Sequence, residues 1–373
     1  MTYCFGFKYK NDVFLYADSA LTESQFQPDA PTLTTFGEET VRGASESVYE
    51  AALKIHKISE KCFVAISGND FFRAHDMVDT LRDSHRENQD FSETIKFLNN
   101  SLGLIEEETG REVAFLIASC FNGTTSLYKW LSFQRKLELI HDCCSIGSLP
   151  NDNQKPIIGL YNFCTKSGTI AESALLVGMA AGLQSISLKG KFLNNHNAGG
   201  TITGLKLSDS GVEWLGDTMY AISGNDGKIY EWVMVANRDN GFATRSSYTN
   251  KSNYFLTINR KDVEAWMNKW HSATENVFNS SLALNWVLMN PLNNVIIVIQ
   301  AEQPTSRTSV CYVEYEGSEQ SIPILDAAGE ILENASHAIF VFTDDTALNR
   351  LEAIRTTIRV HKLLNNSQAQ SLD

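Results

Sequence analysis

The chain has 373 residues, 43% of them hydrophobic and 10% aromatic, which is enough apolar side chain for full cores and excludes a disordered polypeptide. Its 44 acidic and 31 basic residues give a formal net charge of -13, which argues against a nucleic-acid partner, because phosphate binding needs a basic face. The length suggests two compact units, and seven cysteines without regular spacing fit reduced thiols better than a disulfide framework.

In chain order, alternating apolar residues predict strands over 3–9 and 12–18. Residues 19–50, rich in Ser, Thr, Gly and Pro, read as a surface loop inserted before the strands 54–58 and 63–68. Helical spacing follows over 70–88 and 91–104, then a hairpin of 111–120 and 124–131 around Asn122-Gly123, and a strand over 136–141. A long apolar helix over 170–188, rich in Ala and Gly, suits close packing on a sheet. Beyond 217, strand character recurs over 228–235, 253–258, 283–289, 294–300, 309–315 and 337–342, with helices over 260–277 and 348–364. These pieces predict a second, α+β unit over 218–373 after a first unit over 1–217.

The hexapeptide Ala65-Ile66-Ser67-Gly68-Asn69-Asp70 recurs as Ala221-Ile222-Ser223-Gly224-Asn225-Asp226, but the two copies continue differently. The first precedes a helix and the second runs into a predicted hairpin, which argues against a duplicated domain. No apolar run of about 18 residues and no basic start with a long apolar core occurs, so the sequence predicts a cytoplasmic protein without a membrane span.

Thr2 carries the sharpest chemical signal. A small residue after Met1 lets the methionine be trimmed, which would leave a free α-amine beside the threonine hydroxyl. An adjacent amine can activate that otherwise weak nucleophile as its base. Asp18 at the end of the second strand, Lys54 at the start of the 54–58 strand and Gly68 at the turn after Ala65-Ile66-Ser67 are its candidate partners. Cys4, inside the alternating strand, reads as core packing.

Together the Met1-Thr2-Tyr3-Cys4 start, Ala17-Asp18, Lys54-Ile55-His56-Lys57-Ile58 and Ala65-Ile66-Ser67-Gly68 resemble the proteasome β-subunit type of N-terminal-nucleophile hydrolase. The start is especially similar to the bacterial Anbu branch, a relative of HslV. The separation of Thr2 and Asp18, 18 minus 2 or 16, and that of Lys54 and Gly68, 68 minus 54 or 14, match the family spacings. The resemblance implies a four-layer αββα sandwich over the first unit, with an additional α+β domain after it.

It also implies roles. Thr2 would form the acyl-enzyme, Lys54 would lower the hydroxyl pKa and help move its proton, and Asp18 would hold the Lys54 ammonium. The Gly68 N–H would face the developing oxyanion. Ser148 would be the serine of the family's Gly-Ser element near the terminal amine, although Leu149 stands where a glycine usually follows. By alignment on Gly199-Gly200, Asn195 replaces the family's aspartate and Ala198 its serine, and asparagine brings no charge to a protonated amine.

The implied activity is peptide-bond cleavage within a self-assembled particle, with a peptide or protein substrate, a homo-oligomer and an ATPase or other protein partner. Two alternatives stay open at this point: an interaction or regulatory protein that keeps the fold without the reaction, and a small-molecule amidohydrolase. No cofactor or metal is implied. His141-Asp142-Cys143-Cys144 places neighbours on opposite faces of a strand and lacks a second ligand pair nearby. In this family the connection formed by 19–50 lines the substrate cleft, so the insertion is expected either to reshape specificity or plug the site, or to be an inert surface excursion.

Overall fold

The structure is a computed structural model that describes residues 3–23, 33–39, 41–42, 47–68, 71–86, 89–101, 112–147, 149–166, 174–223, 229–238, 241–249, 252–256, 285–291, 295–300 and 341–342. It is a mixed α+β protein, mostly strands with few helices among the described residues. The first half contains β1 (Tyr3–Tyr9), β2 (Asp12–Ala17), β3 (Ala20–Glu23), β4 (Val41–Arg42), β5 (Ser47–Glu50), β6 (Ile55–Ser59) and β7 (Cys62–Gly68). These are followed by α1 (Phe71–Ser84), α2 (Phe91–Ser101), β8 (Val113–Phe121), β9 (Thr124–Leu131), β10 (Lys136–Ile140) and β11 (Cys143–Gly147). Next come α3 (Asn151–Lys166), α4 (Leu175–Gly190), α5 (Phe192–His196), β12 (Thr203–Ser208) and β13 (Gly211–Trp214). The remainder is β14 (Thr218–Ser223), β15 (Ile229–Arg238), β16 (Gly241–Ser246), β17 (Ser252–Leu256), β18 (Asn285–Asn290), β19 (Val295–Gln300) and β20 (Val341–Phe342).

Two five-stranded sheets, ordered β11-β1-β2-β12-β13 and β10-β9-β8-β7-β6, face each other, with β1 touching β7, β8 and β9. The apolar runs of β7 and β8 are nearly continuous because both faces of that sheet are covered. Phe63 and Ala65 of β7, with Ala114, Leu116 and Ala118 of β8, enter the core between the sheets. Their neighbours Cys62, Val64, Ile66, Val113, Phe115 and Ile117 point the other way, under Met77, Val78 and Leu81 of α1 and Ile95 and Leu98 of α2. Trp130 ties this layer together: it is fully buried, stacks on Phe115 at 5.0 Å and donates its indole N–H to Asn99 Oδ1 at 3.0 Å. Burial of each such large side chain contributes roughly 1.5–3 kcal/mol.

On the far side of the first sheet lie α3 and α4. Tyr161 of α3 packs on Phe5 and Phe7 of β1, and the Tyr16 hydroxyl donates to the Leu176 carbonyl at the start of α4. Residues 175–187 of α4 are buried throughout, as expected for a helix that is covered on every side. Its second face meets β18 and β19 of a seven-stranded sheet, β17-β16-β15-β14-β18-β19-β20. Within that sheet β14 and β18 run parallel, and β14 and β15 form an antiparallel hairpin partner pair at the repeated Ala221-Ile222-Ser223. One apolar cluster therefore runs from Phe5 through Leu176 to Val287 and Val298.

Three expectations change. The helix predicted over 170–188 is present as Leu175–Gly190, with 170–173 outside the described residues, but the sequence does not predict α3 before it. Its polar start and Pro156 mask a helical stripe of Ile157, Leu160, Tyr161 and Cys164. β16 also went unread, since only Phe242 and Ala243 in it are apolar. Lastly, the described part of 19–50 is not a surface excursion. β3, β5 and β4 make a three-stranded sheet, and Thr34, Thr35 and Phe36 are buried. Phe36 meets Tyr220 of β14 edge-on at 5.2 Å, and the Thr35 hydroxyl bonds that of Thr244 on β16 at 2.8 Å. The expected helices 260–277 and 348–364 and the strand 309–315 lie outside the described residues.

Candidate active site

β2 ends at Ala17, and Asp18 folds its side chain back over the start of β1. The two segments bond reciprocally: Asp18 N–H donates to the Tyr3 carbonyl at 3.1 Å, and Tyr3 N–H donates to Asp18 Oδ1 at 3.0 Å. Lys54, directly before β6, donates from Nζ to the same Oδ1 at 2.6 Å and also to the Ala20 carbonyl. Asp18 Oδ2 accepts the Gly199 N–H at 2.7 Å. Asp18 is 2% exposed and Lys54 0%. A desolvated ion pair persists only when its lone pairs and protons are otherwise satisfied, and here two backbone donors and a carbonyl do this. An ammonium has three donors. Asp18 and Ala20 take two of those on Lys54, and the third has no acceptor among the described residues.

The next strand along supports the same corner. Ile66 of β7 donates its N–H to the Lys54 carbonyl at 2.9 Å and accepts the Cys4 thiol at 3.3 Å. Gly68 ends β7 two residues further on and is half-buried. A Cβ there would lie 2.6 Å from the Glu112 carbonyl oxygen, so glycine is what lets β7 and the start of β8 approach. Cys4 is fully buried, and burial and the Asp18 charge raise its thiol pKa against the opposing pull of Lys54. It stays a thiol and packs, as its place in the alternation predicts.

Opposite Asp18 the chain leaves α5 through a sequence of left-handed residues: Asn197 at φ 53°, Gly199 at φ 139° and Gly200 at φ 73°. Those angles are open to glycine and turn three successive backbone N–H groups inward. Each meets a different carboxyl group. Gly199 donates to Asp18 Oδ2 at 2.7 Å, Gly200 to Glu38 Oε2 at 3.3 Å and Thr201 to Glu50 Oε1 at 2.6 Å. Gln184 of α4 clamps the same stretch, donating to the Gly200 carbonyl and accepting the Ile202 N–H, both at 2.9 Å. The half-buried Glu38 carboxyl is pushed up to about 8, chiefly by desolvation and then by Glu50 and Asp18, with the Gly200 N–H opposing.

No protein-family model matches this chain, and no curated protein matches it.

Of the residues singled out from the sequence, the structure brings Asp18 and Lys54 into contact and runs the strand that ends at Gly68 beside them. Thr2 and Ser148 lie outside the described residues. Asn195 is exposed on α5 and its side-chain amide donates to the Gly190 carbonyl at 3.0 Å, while Ala198 is buried. Sequence reasoning missed Glu38, Glu50, Ser19 and Gln184. The two glutamates sit in the stretch whose composition reads as loop, and only Gly199-Gly200 signals that backbone donors gather there. Among the described residues no group of three or more His, Cys, Asp or Glu is arranged to hold a metal ion, and no helix is long and apolar enough to cross a membrane.

Proposed function

We propose that this chain is an N-terminal threonine hydrolase of the proteasome-like kind, cleaving peptide bonds through Thr2 once that residue carries a free α-amine. The observation that carries this reading is the sharing of Asp18 Oδ1 by the Lys54 ammonium and the Tyr3 N–H. Tyr3 N is joined covalently to Thr2, so the candidate nucleophile is one peptide bond from a buried ion pair whose cation has one donor without an acceptor among the described residues. The two facing sheets, with α1 and α2 outside one and α3 and α4 outside the other, support the αββα order that the resemblance implies.

In this reading the Thr2 Oγ attacks the substrate carbonyl carbon as its proton passes to the α-amine. The spare Lys54 donor stabilises the developing alkoxide, and Asp18 keeps the ammonium aimed and charge-balanced. The oxyanion takes the N–H of Gly68. Collapse expels the leaving amine with the proton held by the α-amine and leaves an ester on Oγ. Water activated by the same amine then hydrolyses that ester and restores the hydroxyl.

The test is turnover of a fluorogenic peptide panel. Thr2→Ala is expected to abolish cleavage and Thr2→Ser to retain part of it; cleavage that persists in Thr2→Ala overturns the assignment.

A further inference from the structure

Glu50 closes β5 and is half-buried, yet its carboxylate ties together three separate pieces of chain. Oε1 accepts the Ser19 hydroxyl at 2.9 Å and the Thr201 N–H at 2.6 Å, and Oε2 accepts the Thr35 N–H at 2.7 Å. Ser19 immediately follows Asp18, and Thr201 lies two residues after Gly199, the backbone donor to Asp18 Oδ2. Both are fully buried. The Ser19 Oγ also accepts the Thr201 N–H at 2.8 Å, and Ala20 N–H donates to the Gly199 carbonyl at 3.1 Å, so the two stretches that hold Asp18 are sewn to each other as well as to Glu50. The third piece leads away from the site: Thr35 reaches Thr244 of β16 through its hydroxyl, and Phe36 next to it packs on Tyr220 of β14.

We infer that Glu50 is a positioning residue for the Asp18–Lys54 pair, and that through Thr35 and Thr244 it makes the alignment of that pair depend on the seven-stranded sheet. The inference rests on the reading of Thr2, Asp18 and Lys54 as the reacting centre. Ser19, Gly199 and Thr201 are the frame in which the Asp18 carboxylate sits, and the acceptor-only Glu50 sets the distance between the two sides of that frame. Asp18 in turn fixes the direction of the Lys54 ammonium. A shift of the frame would leave substrate binding intact and misdirect the proton-handling groups, since a misplacement of about 1 Å at such groups can cost about a hundredfold in rate.

Glu50→Gln is the informative change. One side-chain oxygen can still serve Ser19 and Thr201, but an NH2 then opposes the Thr35 N–H, donor against donor. Thr244→Val removes the far anchor without touching Glu50 or Asp18 and guards against a folding defect at the first position. The full chain is treated with a peptide epoxyketone, and the labelling of Thr2 is followed over reagent concentration. Expected is a fall of about tenfold in the saturating labelling rate for Glu50→Gln and a smaller fall for Thr244→Val, with the half-saturating concentration unchanged in both. Amide hydrogen exchange over 199–203 is expected to quicken in both variants while that over 62–68 stays as in wild type.

If wild type is labelled at Thr2 and both variants label at its rate, or if only the half-saturating concentration moves, the positioning role fails and the reading of the site survives. Unchanged exchange over 199–203 in Glu50→Gln overturns it equally. Wild type that takes no label at Thr2 overturns both.

Discussion

Lys54 Nζ lies 2.6 Å from Asp18 Oδ1, and neither side chain reaches solvent. The pair is held by contacts from four places in the chain: Tyr3, Ala20, Gly199 and the Ile66 N–H on the Lys54 carbonyl. Truncating one partner of such a pair leaves the other charge buried and uncompensated, at a cost of about 3–5 kcal/mol. Lys54→Met is therefore expected to lower unfolding stability by about that amount, and the double change Asp18→Asn with Lys54→Met to recover little of it, because the Asn NH2 would oppose the Tyr3 or the Gly199 N–H. Both proteins are expected to be inactive. Urea unfolding checks this, and a Lys54→Met protein as stable as wild type would show that the pair is solvated in solution.

Gly68→Ala tests the end of β7. The added methyl meets the Glu112 carbonyl oxygen at 2.6 Å and the Val113 Cα at 3.2 Å, which are backbone atoms without a rotamer to move. Overpacking of this kind typically costs about 1–3 kcal/mol. Alanine keeps the backbone N–H, so if that N–H serves the oxyanion the rate of acylation falls further than stability predicts through its displacement, by about a hundredfold for a shift of about 1 Å. Peptide turnover by variant and wild type, compared where both are fully folded, decides between the two; a fall no greater than the loss of folded protein shows that acylation does not depend on where the end of β7 sits.

Glu38 gives the molecule a pH signature. Its carboxyl is raised from the ordinary 4.5 to about 8, so the folded chain keeps a proton that the unfolded chain releases. The corresponding stabilisation is complete below pH 4.5 and is lost as pH rises through about 8. Glu38→Gln cannot ionise, so its melting temperature is expected to fall less than that of wild type between pH 5 and pH 8.5, by about several kelvin. Parallel melting curves for the two proteins over that range would contradict the buried state of this carboxyl.

How far the sequence reached depends on whether a feature is local. The strands β1, β2, β7 and β8 were legible because their alternation, or an apolar run bounded by turns, lies within a few residues. The spacing from Lys54 to Gly68 points to one side of the candidate site for the same reason. α3 escaped because Pro156 and five polar residues at its start outweigh a stripe that only becomes apolar at Ile157. The contacts of Glu38 and Glu50 are not legible from composition, since Ser, Thr and Gly around them signal turns, and the backbone donors that meet them come from Gly200 and Thr201, some 150 to 160 residues away. Asn195 has the offset from Gly199-Gly200 at which the resembling family carries an aspartate, but an offset does not say where a side chain points, and on α5 it turns back to Gly190.

Mass spectrometry of the intact protein before and after incubation with a peptide β-lactone, followed by mapping of the modified peptide, shows whether Thr2 is the nucleophile. The expected result is a chain that begins at Thr2 and gains one acyl group there, with the gain absent in Thr2→Ala. A folded chain that retains Met1 and takes no label, or one whose label maps to another residue and survives Thr2→Ala, would contradict it.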